Sequence, residues 1–187
     1  MDNNIAQTAP SVEQAGNMEF EAIITAHESV LLRYVARLVN DVNAAQDVVQ
    51  ETFIKLFRVW WNDARPTDNL RPWLYRVAHN TAIDYIRRES RLHRLHEREA
   101  LERSAPDPAD PADPPDRVHI VLDHVHRLDQ AEKQVLLLRM QEGLSYREIS
   151  LITGRTEGNI GCILHHAVKK ISVSLRNAGL IRKGGLP

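Results

Sequence analysis

Five prolines and four aspartates crowd residues 104–117, SAPDPADPADPPDR. Proline fixes φ and lacks the backbone N–H, so no helix or strand interior can run through this stretch, and the aspartates repel one another. The chain must therefore build its cores on either side of an extended linker, which at about 3.1 Å per residue reaches roughly 40 Å. The expected organisation is a flexible tail over 1–17, a module over 18–103, the linker over 104–117, a smaller module over 118–176 and a tail over 177–187. With 187 residues, 43% of them hydrophobic, there is enough apolar side chain for two small cores.

Helical periodicity dominates both modules. From Met18, the residues Phe20, Ile23, Ile24, His27, Leu31, Tyr34, Val35 and Leu38 recur at three and four, up to a break over 40–43. A second helix is predicted from about Ala44 to Trp60, with Ala45, Val48, Val49, Thr52, Phe53, Leu56 and Val59 inward. Its other side sets Asp47, Gln50, Glu51 and Arg58 around an outward Ile54. Acidic groups around an exposed apolar side chain repel DNA and suit a protein partner. The fold class expected is all-α, two small helical domains.

Turn chemistry over 61–70, WNDARPTDNL, leads into a third helix, in which Pro72 fits the first turn. At about 100° per residue, Leu74, Ala78, Ala82 and Tyr85 gather on a core side. Trp73, Arg76, Asn80, Asp84 and Arg87 gather on the other, and Arg88 follows. A ring, two guanidinium groups and an amide on one stripe suit base stacking, phosphate contact and base-edge hydrogen bonding. A solvated face with one half-buried Trp has the same pattern.

After the linker, helices are predicted at about 117–128 and 129–141. Ser145 and Glu148 form a capping box for a short helix with Ile149 and Ile152 inward, and Gly154 ends it. Thr156 caps a longer helix whose seam is Ile160, Leu164, Ala167, Val168, Ile171 and Leu175. A short helix, a tight turn and a longer amphipathic helix make a helix-turn-helix signature.

Charge agrees with this division of labour. The net charge is −1, yet residues 1–30 hold five acidic residues and no Lys or Arg, whereas residues 118–187 hold ten Lys/Arg against six Asp/Glu. So small a basic surplus binds DNA weakly alone and calls for a partner that adds affinity. The single cysteine, Cys162, excludes an internal disulfide, and no apolar run nears the roughly 18 residues of a membrane span, so a reducing, cytoplasmic location is expected.

Three ordered motifs carry a family likeness: Ala45, Asp47, Val48, Val49, Gln50, Glu51, Thr52 and Phe53; then Trp73, Leu74, Tyr75, Arg76, Ala78, Asn80, Asp84 and Arg87; then Glu142, Gly143, Leu144, Ser145, Tyr146, Glu148 and Ile149. Together they resemble bacterial sigma factors of the extracytoplasmic-function (ECF) group of the sigma-70 family. The resemblance implies that the first module is region 2 and the second region 4, joined by a linker threading through RNA polymerase. It assigns Asp47, Gln50, Glu51, Ile54 and Arg58 to the polymerase clamp helices, and region 4 to the flap of the second-largest subunit. Trp61, Asn62, Arg65, Trp73, Arg76, Asn80, Asp84, Arg87 and Arg88 are assigned to melting and holding the −10 element. Arg155, Thr156, Asn159, Cys162, His165, His166 and Lys169 are assigned to the −35 element. Relatives often carry Thr, Arg and Ser where this chain has Asn159, Gly161 and Cys162, so an altered −35 preference is expected. An anti-sigma factor is a further implied partner, and the free chain is expected to be a monomer.

Other classes fit less. A free-standing repressor would need to dimerise and would have no use for Ile54 or the Trp73 stripe. No phosphate loop, nucleophile elbow or paired-histidine zinc motif is present, so no catalytic residue and no cofactor is assigned. Cys162, His165 and His166, like His93, His96 and Glu97, offer at most three ligands where structural zinc takes four, so no metal site is assigned. His119, His124 and His126 are expected at exposed helix positions.

Overall fold

The computed structural model describes residues 12–61, 66, 69–100, 124–177 and 179–180. Among them there is no strand, and six helical elements follow in order. These are α1 (Val12–Val39), α2 (Val42–Trp60), α3 (Leu70–Ala100), α4 (Gln130–Leu136, continued by a π-helical turn over Leu137–Gln141), α5 (Tyr146–Thr153) and α6 (Glu157–Asn177). Residues 124–126 are also helical. The linker and both extreme termini lie outside the described residues, as do Asn62 and Arg65.

The first module packs α1, α2 and α3 together. The break between α1 and α2 is local chemistry. Asn40 takes a left-handed φ of 62°, which asparagine tolerates, and the Asp41 carboxylate accepts from the Asn43 and Ala44 N–H groups at 2.8 and 3.1 Å. Leu31, Tyr34, Val35, Leu38, Ala45, Leu56, Trp60, Leu74, Ala78 and Ala82 are buried, as the periodicity predicts for all but Trp60. Burial of each larger apolar side chain contributes about 1.5–3 kcal/mol. Two expectations need correction. α1 starts at Val12, six residues before the expected start, because polar residues such as Glu13 and Gln14 give no apolar period yet suit a helix. Tyr85 is only half-buried, whereas Tyr75 and His79 are buried.

The second module stacks α4, α5 and α6. Asp129 and Glu132 cap α4 reciprocally, and Ser145 and Glu148 do the same for α5. Gly154, at φ 69°, closes α5 with its N–H on the Ser150 carbonyl, a conformation that a Cβ would strain. The Ser150 hydroxyl then donates to the Arg155 carbonyl at 2.6 Å, so the turn into α6 is fixed at both ends. Thr156 Oγ1 accepts from the Asn159 N–H at 3.3 Å, the cap the sequence predicts. Ile160 and Ala167 are buried, but Val168 is exposed, and the half-buried Ile163 takes part in the packing instead.

The predicted helix over 129–141 is not regular. Its last turn winds as a π-helix, with the Glu142 N–H reaching the Leu137 carbonyl five residues back. Gln141 and Glu142 stand at the end of this turn. They meet α1 and α3 of the first module, and the two modules form one packed body among the described residues.

Candidate functional site

Three surfaces carry the candidate residues. On α2, Asp47, Gln50, Glu51 and Arg58 are exposed and Ile54 is 46% exposed, as the helical register predicts. Gln50 and Ile54 border a groove of about 590 Å³ between α1 and α2, lined by Phe20, Ile24, Leu32, Val49, Phe53 and Phe57, with Glu28 and Gln46 at its edge. Phe57 is half exposed and was not singled out from the sequence, although its place three residues after Ile54 puts it on the same face. Phe20 meets Phe57 edge-on at 5.5 Å and Trp60 at 5.9 Å, so the groove has an aromatic floor. Glu51 is paired with Lys55 at 2.9 Å, and Lys55 also donates to Thr81, which ties α2 to α3.

Trp61 continues this aromatic line. Its ring lies 6.3 Å from Phe57 in a T-shaped contact and covers Gly16 so closely that a Cβ there would sit 2.8 Å from a ring carbon. The structure thus places Trp61 beside the groove, against α1 and α2. On α3, Arg76, Asn80, Asp84, Arg87 and Arg88 are exposed and Trp73 is half-buried against the core. Asp84 and Arg87 are 3.6 Å apart, an exposed ion pair of small energetic value that leaves both groups available.

On α6, Thr156, Asn159, Cys162, His165, His166 and Lys169 are exposed on one helix, with the His165 and His166 rings 6.1 Å apart. Arg155 is separated from them. It lines a polar cleft of about 590 Å³ between the modules, together with Asn80, Asp84 and Arg87 of the α3 stripe and with Gln130, Gln134 and Thr153. His79 also borders this cleft. Burial first, and then the Arg155 charge, push its imidazole down to about 4, and its Nδ1 shares a 2.9 Å hydrogen bond with the Tyr34 hydroxyl.

The histidines near the linker do not sit as the sequence suggests. His124 and His126 are half-buried, and His124 Nδ1 is 2.8 Å from the Ser174 hydroxyl, so His124 helps hold the segment before α4 onto α6. His119 lies outside the described residues.

Comparison with known proteins bears on these surfaces. Residues 23–92 match the model of Sigma-70 region 2, and residues 120–171 match that of Sigma-70, region 4. A curated relative, the ECF RNA polymerase sigma factor SigL of Mycobacterium tuberculosis, is 33% identical over 166 residues, which cover 86% of this chain and 91% of the relative. Among solved structures, CnrH in complex with the cytosolic domain of CnrY aligns at a TM-score of 0.64 with 21% identity, covering 88% of this chain and 94% of that one. The sigma factor RpoE of Bartonella quintana, in complex with the anti-sigma factor NepR, aligns at 0.62 with 18% identity, over 84% and 97%.

Proposed function

Because the chain belongs to the ECF family of RNA polymerase sigma factors, we propose that each exposed surface serves one step of promoter-dependent initiation. The protein binds core RNA polymerase and promoter DNA and catalyses no covalent step. The α2 face of Asp47, Gln50, Glu51, Ile54 and Arg58 docks on the clamp helices of the largest subunit. The α3 stripe of Trp73, Arg76, Asn80, Asp84, Arg87 and Arg88, with Trp61, Asn62 and Arg65 before it, opens and holds the −10 element. The α6 face, with Arg155 at its start, reads the −35 element. The modules run over 18–103 and 118–176, with the Pro/Asp linker between them passing through polymerase. Among the described residues no helix is long and apolar enough to cross a membrane, which supports action in the cytoplasm.

The observation that carries this reading is the groove beside Ile54 and Phe57. A protein that only reads duplex DNA has no use for an aromatic-floored groove on helices outside its helix-turn-helix, whereas a polymerase subunit needs an apolar anchor ringed by polar groups. Two of the solved structures it resembles are complexes with CnrY and with NepR, which supports an anti-sigma factor as a second partner.

Multi-round transcription with purified core polymerase on a fragment library tests the proposal. New RNA 5′ ends that share two short upstream elements are expected when the protein is added. Failure to gain initiation while duplex binding persists would sink the docking assignment and leave a repressor.

A further inference from the structure

Polar groups around the cleft between the modules lack partners in the protein. The cleft encloses about 590 Å³, within the range of small-molecule sites, with α3 on one side and α4 and the end of α5 on the other. Gln134 lines it at 7% exposure, and among the described residues its side-chain amide has no hydrogen-bond partner. A largely buried amide is rarely left unpaired. Arg155 is half-buried at the turn into α6, and no described carboxylate pairs with its guanidinium. His79 offers a third group. Burial keeps the Tyr34 phenol protonated, so its hydroxyl donates to His79 Nδ1 at 2.9 Å and the neutral ring carries its hydrogen on Nε2.

These groups sort by chemistry. Arg87 and Arg155 present two guanidinium forks, which suit phosphate oxygens. Asp84, 3.6 Å from Arg87, is the kind of acceptor that ribose hydroxyls take in dinucleotide sites. Ile83, Ile86 and Ala131 are half-buried along the same cleft and offer an apolar surface to a base. Asn80, Gln130 and Gln134 carry amides, which both donate to and accept from base edges. An inorganic anion would use only the arginines.

We propose that this cleft binds a free ribonucleoside phosphate. The phosphates lie between Arg87 and Arg155, the ribose against Asp84, and the base on Ile83 and Ile86 with its edge toward the amides. Hydrogen bonds between the modules hold the walls in place: Arg71 donates to the Glu142 carbonyl at 2.5 Å, Tyr75 to the Glu142 carboxylate, Arg37 to Gln141 Oε1 at 2.5 Å and Lys133 to the Leu38 carbonyl at 3.1 Å. A free nucleotide is favoured over one within a strand because the volume suits a single small ligand. The site does not rest on the sigma assignment. One consequence does: Arg87 and Arg155 are assigned to promoter elements, so nucleotide and promoter DNA compete for them.

The test is isothermal titration of the full-length chain, without DNA or polymerase, with ADP, GDP, CDP and UDP, and separately with inorganic pyrophosphate and the parent nucleosides. At least one nucleotide should bind with a Kd below about 1 mM, and about tenfold or more tighter than pyrophosphate or its own nucleoside. Arg155→Gln should weaken binding about ten- to hundredfold by removing charge-assisted hydrogen bonds. Gln134→Leu, which keeps the packing volume and removes the amide, should weaken it about tenfold. Circular dichroism checks that both variants keep their helices. No binding by any of these nucleotides, pyrophosphate bound as tightly as the best of them, or unchanged affinity in either variant would overturn the proposal. A single-stranded oligonucleotide that binds more tightly than every nucleotide, and loses that affinity in both variants, would overturn it too by giving the cleft to nucleic acid. If the chain binds nucleotide yet confers no initiation on core polymerase, the sigma reading fails while the site stands.

Discussion

The Tyr75 hydroxyl donates a hydrogen bond to the Glu142 carboxylate, joining residues 67 positions apart across the boundary between the two modules. The same carboxylate accepts from the Gln141 amide. Burial, and then the bond to Glu142, hold the Tyr75 phenol well above its usual range, so it remains a donor at every physiological pH. Removing the hydroxyl with Tyr75→Phe leaves a buried carboxylate short of a partner and should cost about 1–3 kcal/mol in urea unfolding. In a double-mutant cycle with Glu142→Gln, the pair should couple; strictly additive losses would show that the contact is not made in solution.

Acid should loosen the assembly through His79. The ring is held neutral at about 4 in the folded chain, against 6.5 when unfolded. The unfolded state therefore binds more protons between these values, so the full stabilisation is present above pH 6.5 and is lost as pH falls toward and through 4. The total is on the order of 3 kcal/mol. Denaturant midpoints measured from pH 7 to 4 should fall more steeply for the parent than for His79→Asn, and equal slopes would refute the burial of a neutral ring between Tyr34 and Arg155.

Ile54→Ala and Phe57→Ala should weaken binding to core polymerase at least about tenfold each, as expected of apolar anchors. Both side chains are about half exposed, so thermal stability should move little. Fluorescence titration against polymerase, with duplex affinity as a control, separates these effects. Unchanged polymerase affinity would remove the groove from the docking surface.

On α6 two kinds of contact should part company. Asn159→Ala or His165→Ala should change base preference in selection from a randomised duplex, since an amide or imidazole can reach a base edge. Lys169→Ala should instead weaken all sequences alike and lower the salt dependence by about one counterion. If every promoter position keeps its preference in the first two variants, α6 is not the reader.

Local chemistry was legible in the sequence because short-range patterns encode it. The Ser145–Glu148 box, the Gly154 stop, the Thr156 cap and the outward Ile54 all depend on neighbours within four residues, and the structure places them as expected. What eluded the periodicity is what one module does to the other. Tyr75 lies one residue beyond Leu74 on α3, off the core stripe, and is buried beside Glu142 of the distant turn. The π-helical turn is equally silent, since LLRMQ continues an ordinary apolar pattern and only the Glu142-to-Leu137 bond reveals the wider winding. Phe57 shares the outward face of Ile54, but the sequence assigned it no role because the α1–α2 groove that it lines is a tertiary feature.

Two hydrogen bonds between the modules end on main-chain oxygens, Arg71 on the carbonyl of Glu142 and Lys133 on that of Leu38. A carbonyl survives any substitution at its residue. These two bonds therefore place no demand on the accepting side chains, which answer to their own contacts (Leu38 in the core, Glu142 with Tyr75), and a comparison of related sequences would show the two bonds as constrained cations and not as co-varying pairs. Only the Tyr75–Glu142 and Arg37–Gln141 contacts, where both partners are side chains, could leave a paired trace in the genetic record.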